Sequence, residues 1–216
     1  MKKLVFTLSV VFCLFSGVKM SVAQSFNGGL LVSPVFSQVD GDHYAGYNQL
    51  GVSAGAYINL PFADHFSAQM EMRYSLLGAH SSVKEISEYY YEPYNLRMHY
   101  AEIPLMLRYD LGYFRVGGRS LDFITLEAGV SLDFLLRATE TVDTDYQVTT
   151  SRWNFFSSTV NGGIHFAFNE HWGLGARFMY SVVPCRFTGK PGWFYGQYYN
   201  KVILLTLTFN INSPLR

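Results

Sequence analysis

The stretch FSAQMEMRYSLLG, residues 66–78, constrains the fold more than any other part of the sequence. Every second residue from Phe66 to Leu76 is apolar, and the residues between them are polar, with Glu71 and Arg73 near the centre. Strict alternation of this length has the period of a β-strand and not that of a helix. The two faces of this strand must therefore meet different surroundings.

The same alternation recurs along the chain, which predicts an all-β fold. The first segment shows it least clearly, because it contains Pro34 and a run of consecutive apolar residues. Each segment has about the length that a tilted strand needs to cross a bilayer. The eight predicted strands are 26–37, 50–60, 66–76, 99–109, 124–136, 153–168, 172–182 and 202–211.

The connections between these segments alternate in length. Two are tight turns, at 61–65 and 169–173, and a third, at 112–121, is of modest length. Four are long and polar, at 39–48, 77–94, 137–152 and 183–200. We therefore predict an eight-stranded antiparallel up-and-down transmembrane β-barrel with short periplasmic turns and long extracellular loops.

Alternation alone does not distinguish a membrane barrel from a soluble barrel of lipocalin type, whose apolar face points inwards. Charged residues make up only 15% of the sequence, against about 25% in a typical soluble domain, which favours the membrane. Aromatic residues near the predicted strand ends resemble the interfacial girdles of membrane barrels. They are Phe66, Tyr109, Tyr113, Phe114, Trp153, Trp172 and Tyr180. Since lipid cannot satisfy open strand edges, the sheet must close and its polar face must point into the lumen.

The first residues have the layout of a secretory signal peptide. Two lysines precede an apolar run, and the small-residue cleavage site Ser21-Val22-Ala23 follows it. We expect residues 1–23 to be removed and residues 24–216 to form one outer-membrane β-barrel domain, so the expected location is the outer membrane.

The mature chain would be nearly neutral and would hold a single thiol. It carries 13 Lys and Arg against 16 Asp and Glu, a net charge of −3, which gives no sign of a nucleic-acid partner. Of the two cysteines only Cys185 would remain, which excludes an intrachain disulfide.

The polar stripes of the predicted strands place many charges inside the barrel. An eight-stranded barrel is just wide enough for side chains to fill it, so these charges must neutralise one another. We predict a lumen ion-pair network of Glu71, Arg73, Glu102, Arg108, Glu127 and Arg177, in which Arg73 and Arg177 lie between carboxylates. Such a lumen would be plugged, and a narrow channel or proton relay is the alternative.

Two aromatic runs lie in predicted long loops, and aromatic side chains commonly form adaptable contact surfaces. One interpretation is a surface that binds a protein or a glycan. The other is that these loops pack on each other and on the lipopolysaccharide interface. The residues of this predicted contact surface are Tyr89, Tyr90, Tyr91, Tyr94, Trp193, Phe194 and Tyr195.

No motif predicts catalysis, a cofactor or a metal site. His165 is expected to be a polar lumen residue, and no spacing of His, Cys, Asp and Glu matches a metal-binding pattern. The stretch GAHSS places His80, Ser81 and Ser82 at the end of the third strand. Because His99 lies near the same end of the fourth strand, a lipid-modifying enzyme stays as the weakest alternative.

The stretches YAEIPLMLRYDLG (100–112) and LEAGVSLDFLL (126–136) resemble the outer-membrane β-barrel domain of the PorT-like "porin family" proteins of Gram-negative bacteria. Residues 40–61 and 66–80 carry the same resemblance. It implies an eight-stranded outer-membrane barrel but no specific activity, although one branch of the group assists protein export through type IX secretion. Because Pro104 lies in a strand that must pair on both sides, we also expect a bulge or a gap there.

These observations together favour a non-catalytic role in envelope integrity, surface interaction or docking. The expected partners are outer-membrane lipid, lipopolysaccharide and an envelope or secretion-machinery protein. The alternatives are a secretion component, a narrow channel and the lipid-modifying enzyme.

Overall fold

The computed structural model describes residues 26–42, 44, 46–88, 93–142, 145–147, 153–187 and 197–211. The strands within these ranges are β1 (Asn27–Asp40), β2 (Gln49–Ala63), β3 (Phe66–His80), β4 (Tyr94–Val116), β5 (Arg119–Val142), β6 (Asp145–Gln147), β7 (Phe156–Ala167), β8 (Trp172–Val183), β9 (Arg186–Phe187) and β10 (Gln197–Asn210). A short helix, α1 (Val83–Glu88), follows β3. No helix in this part of the chain is long and apolar enough to cross a membrane.

Eight of the strands close into an antiparallel barrel, as predicted. Each pairs with the next in the order β1, β2, β3, β4, β5, β7, β8 and β10, and β10 returns to pair with β1. The closing ladder runs from the Gly29 and Asn210 pair to the Asp40 and Tyr199 pair. The short strands β6 and β9 pair with the ends of β5 and β10 that lie opposite the tight turns.

Several strands extend beyond the predicted segments, most clearly β4 and β5 with 23 and 24 residues. Their hairpin closes at Gly117 and Gly118, with φ angles of 59° and 81°. Two consecutive residues with positive φ form the type I′ turn that suits the twist of a hairpin. The predicted turn at 112–121 is therefore too long, because only Gly117 and Gly118 in that segment lie outside β4 and β5.

The apolar face of the sheet points outwards, as predicted. On β3, Met72 is 69% exposed and Tyr74 is 44% exposed, whereas Glu71 and Arg73 are exposed by only 1% and 2%. Soluble monomers rarely expose a contiguous apolar patch larger than a few hundred Å². A surface that is apolar around the whole barrel is instead suited to lipid.

An aromatic band surrounds the barrel near the tight turns. Phe66 packs on Tyr109 with ring centroids 4.8 Å apart, and Trp172 packs on Phe209 at 4.9 Å. Aromatic rings at this level mark a membrane interface. Trp153 does not belong to such a girdle, because it is buried at the other end of the barrel.

Pro104 interrupts one ladder without shifting it. Strands β3 and β4 pair Met70 with Leu105 and Arg73 with Glu102, but the two pairs between them are missing. The register is the same on both sides, so the structure has a gap and not a bulge. The gap is expected because proline has no N–H group to donate to a neighbouring strand.

Outward-facing apolar positions should respond to charge according to their depth in the membrane. Leu105 lies on the lipid-facing side of β4, and Val116 lies at the tip of the β4–β5 hairpin. Leu105→Arg should destabilise the folded barrel by about 2–4 kcal/mol, and Val116→Arg by about 0–1 kcal/mol. Urea unfolding in lipid vesicles measures both. Equal tolerance of the two substitutions would contradict a lipid-facing apolar surface.

Candidate functional site

The centre of the lumen is occupied by a charged layer built around Arg177. Its guanidinium donates two hydrogen bonds to Glu71, at 2.9 and 2.8 Å, and one to Glu127 at 2.8 Å. All three side chains are almost completely buried. Paired, charge-assisted hydrogen bonds of this kind stabilise the side chains and also fix their orientation.

Arg73 continues this layer across the barrel. It contacts Glu102 through Nε at 3.0 Å and through Nη2 at 2.9 Å, and its Nη1 lies 3.4 Å from Glu71. Its Nη2 also lies 3.3 Å from the sulfur of Met179. The Ser75 hydroxyl lies 2.8 Å from Glu102, so that carboxylate has a neutral donor beside the guanidinium. Ser75 and Arg73 thus hold Glu102 in place.

Arg108 completes the layer on its periplasmic side. Its Nε lies 3.0 Å from Glu127, and its Nη1 donates to the Gln69 side chain at 2.8 Å. Gln69 in turn donates to Glu71 at 2.7 Å. The structure therefore brings all six residues of the predicted ion-pair network together and adds Gln69 as a bridge.

Strand register explains part of this arrangement. Arg73 and Glu102 are direct cross-strand partners, as are Arg108 and Glu127. Arg177 is different, because β8 and β3 are not neighbours and its contact with Glu71 crosses the lumen. Only closure of the sheet brings those two side chains together.

The outer half of the lumen is apolar, which the sequence analysis missed. The buried residues of this apolar layer are Val35, Val39, Leu77, Ala79, Tyr94, Leu96, Met98, Tyr100, Leu135, Ala138, Trp153, Met179, Cys185, Val202 and Leu204. A signal for it exists in the segment YNLRMHY at 94–100. There the inward residues are apolar and the outward ones polar, the reverse of the membrane-facing part of β4.

A polar cavity of about 190 Å³ lies on the periplasmic side of the charged layer. His165 lines it, as expected of a lumen residue, and its Nε2 lies 2.9 Å from the Thr208 hydroxyl. The hydroxyl of Tyr57 contacts the side chain of Asn210 at the same end. Four residues of the charged layer also line the cavity, so this layer forms its inner wall.

The predicted aromatic contact surface is only partly within the described residues. Tyr89, Tyr90, Tyr91, Trp193, Phe194 and Tyr195 lie outside them. Tyr94 is described and is 8% exposed, stacked on Tyr44 with ring centroids 4.7 Å apart. Its inclusion in an exposed surface is therefore wrong, because β4 begins earlier than predicted and turns this ring inwards.

Two of the residues considered for a lipid-modifying enzyme, Ser81 and His99, make contacts with different partners. The hydroxyl of Ser81 accepts a hydrogen bond from the backbone N–H of Tyr94 at 2.9 Å. His99 instead points outwards, where its Nδ1 contacts the Tyr74 hydroxyl. Within the described ranges, no group of three or more His, Cys, Asp or Glu side chains is placed to hold a metal ion.

Comparison with known proteins identifies the family. Residues 18–184, well over half of the chain, match the family model described as "Outer membrane protein beta-barrel domain". The chain belongs to this family. Family membership and the closed barrel together show that the protein lies in the outer membrane. No curated protein sequence matches it.

Solved structures are similar to this outer-membrane barrel at low sequence identity. Ail, the attachment invasion locus protein of Yersinia pestis, has 11% identity and a TM-score of 0.51, over 86% of this chain and 98% of that chain. CarO of Acinetobacter baumannii has 10% identity and a TM-score of 0.45, over 84% and 96%. The likeness to Ail shows a shared fold and nothing about activity.

Removing one carboxylate from the charged layer should be costly. Glu71→Gln leaves Arg177 and Arg73 buried with one negative charge fewer, so the free energy of unfolding should fall by about 3–5 kcal/mol. Asp40→Asn is the matched control, since the Asp40–Lys201 pair is about one-third exposed and should change stability by less than about 1 kcal/mol. Denaturant unfolding of the refolded barrel measures both. Equal losses would show that the charged layer is not a buried network.

Proposed function

We propose that this outer-membrane barrel is a closed, non-catalytic scaffold, and that its extracellular end is a docking surface for a partner. The observation that carries the proposal is the filling of the lumen by two stacked layers, one charged and one apolar. Among the described residues almost all side chains of both layers are buried, and the polar cavity of about 190 Å³ lies on the periplasmic side of the charged layer. A barrel filled in this way acts through its surfaces and not through its lumen.

The charged layer opposes ion passage because its groups are already paired. An ion that entered would have to displace Arg177 from Glu71 and Glu127, and separating a buried pair leaves uncompensated charge. The apolar layer adds a second barrier, since most of its side chains have no polar atom that could replace a hydration shell. These two barriers argue against a narrow channel.

Side-chain contacts also connect the strands at the extracellular end. Arg186 lies over the rings of Trp153 and Tyr198, at 5.0 and 5.3 Å from their centroids, and pairs with Glu140 at 3.2 Å. Binding residues are commonly carried on loops that a rigid scaffold positions. The aromatic runs at 89–91 and 193–195 are the candidates for such contacts, because aromatic side chains commonly form contact surfaces.

An enzyme is disfavoured because the candidate serine and histidine are separated. Ser81 is buried beside Tyr94, while His99 lies on the outward face beside Tyr74. We propose a protein of the envelope or of a secretion machinery as the docking partner, and lipopolysaccharide as the surrounding lipid partner. The PorT-like secretion role is one form of this docking function.

Planar-bilayer recording tests the closed lumen. The mature protein should give no stepwise conductance above that of the lipid alone at neutral pH, because both layers must open for ions to pass. An open porin inserted under the same conditions is the positive control. Regular conductance steps from the folded wild-type protein would favour the narrow channel.

Cross-linking with a membrane-impermeant reagent on intact cells tests the docking surface. A defined partner should be linked to the wild-type chain and lost from a Trp193→Ala, Phe194→Ala, Tyr195→Ala variant. The matched control is Tyr113→Ala, Phe114→Ala, which removes exposed rings at the opposite end of the barrel. Absence of any linked partner, or equal loss in both variants, would contradict the proposal.

A further inference from the structure

A group of basic and polar side chains lies on the outer wall of the barrel, facing away from the lumen. We call it the outer basic patch; it consists of Asn95, Arg97 and His99 on β4 and Arg137, Thr139 and Thr141 on β5. These residues border a groove of about 380 Å³. The proposed scaffold function uses none of them.

The patch begins where the membrane-facing apolar surface of β4 ends. The outward residues from Tyr109 to Ala101 are apolar or aromatic, and the next outward residues are His99 and Arg97. Ten residues separate Tyr109 from His99, which is about 33 Å along a strand at ~3.3 Å per residue. With a tilt of about 40° this spans roughly 25 Å, the height of the lipid-facing band of a membrane barrel.

Since Tyr109 belongs to the periplasmic aromatic band, the patch lies at the headgroup level of the outer leaflet.

A β-bulge turns Arg137 towards the lipid. His99 pairs with Arg137 and Tyr100 pairs with Leu135, so Leu136 is an extra residue on β5. Without it, the alternation that puts Leu135 inside would point Arg137 into the lumen. Bulges commonly re-aim a side chain in this way. Leu136 and Arg137 are accordingly both exposed on the outer face.

The two arginines of the patch differ from those of the lumen. Arg73, Arg108 and Arg177 all pair with carboxylates, whereas in the described part of the chain Arg97 and Arg137 pair with none. Register opposes Arg97 to Thr139 and His99 to Arg137. The arginines are therefore diagonal neighbours, about 7–8 Å apart on the sheet, a spacing that lets two guanidiniums contact one small anion.

His99 is held in position between them. Its Nδ1 contacts the Tyr74 hydroxyl, and its ring lies 5.9 Å from the Tyr74 ring. That contact leaves Nε2 directed away from Tyr74. The hydroxyls of Thr139 and Thr141 add neutral donors along the same groove.

We propose that the outer basic patch binds a phosphate group of lipid A in lipopolysaccharide of the outer leaflet. Arg97 and Arg137 donate to the phosphate oxygens, since the planar guanidinium matches that geometry. The acyl chains of the same molecule then lie along the apolar wall below, formed by residues such as Leu105 and Val130. The inference rests on the outer-membrane location and specifies the lipid partner of the proposed function. It does not depend on whether the lumen is closed or the loops dock a protein.

Native mass spectrometry of the refolded wild-type barrel tests the ligand. The protein is titrated with lipid A, with dephosphorylated lipid A, and with lipid A plus an equal concentration of inorganic phosphate. Lipid A should bind at least about tenfold more tightly than its dephosphorylated form, because dephosphorylation removes the charge-assisted hydrogen bonds to both arginines. Free phosphate should not displace lipid A, since it lacks acyl chains.

Equal binding of the two lipids would overturn the proposal. Displacement by free phosphate would overturn the assignment to a lipid and indicate a simple anion site.

Single substitutions locate the site. Arg97→Gln and Arg137→Gln should each weaken lipid A binding by about tenfold. Arg115→Gln, on the exposed periplasmic side of the β4–β5 hairpin, should leave it unchanged. The shift of the folded band on boiling verifies that each variant is assembled. Equal weakening by Arg115→Gln, or no effect of the two patch substitutions, would overturn the proposal. If a variant fails to assemble, the titration of the wild-type protein still tests whether lipid A is the ligand.

Discussion

The hydrocarbon of a bilayer offers no hydrogen-bond partner to a backbone amide or carbonyl, so a sheet that crosses it cannot leave an open edge. In this chain the pairing of β1 with β10 removes that edge. Every other arrangement depends on this closure. It turns the apolar face outwards along the membrane-spanning part of all eight strands, and it forces the polar face into a space narrow enough for side chains to fill.

The contents of the lumen follow from that confinement. Within the membrane the inward positions hold charges, and these charges are stable there because Arg73, Arg108 and Arg177 each contact a carboxylate. Beyond the membrane the outer wall meets headgroups and water, so apolar residues turn inwards and polar ones outwards. The same reversal produces the apolar layer inside and the outer basic patch outside, so the two features share one cause.

The sequence predicted the number, direction and facing of the strands because a period of two residues records which face meets which solvent. It also predicted the members of the charged layer, since the inward stripe could be read from each strand. It did not predict the apolar layer, because each predicted segment covers only the part of a strand whose apolar residues face outwards. At Tyr94–Tyr100 this pattern reverses, but the strand continues.

Two further features depend on information that no single strand contains. The contact of Arg177 with Glu71 joins strands that are not neighbours, so it requires the closed barrel. The outward direction of Arg137 requires the bulge at Leu136, and only its pairing with β4 reveals that bulge.

The thiol of Cys185 provides the most direct test of the filled lumen. Cys185 is 0% exposed within the apolar layer, and burial raises the pKa of its thiol to about 12. The measurement is the reaction of the folded wild-type protein in lipid vesicles with a membrane-impermeant maleimide, with the labelled residue identified by peptide mass mapping. We predict no labelling of Cys185 in the folded barrel and complete labelling after unfolding. Rapid labelling of Cys185 in the folded protein would contradict a packed outer layer and, with it, the closed scaffold.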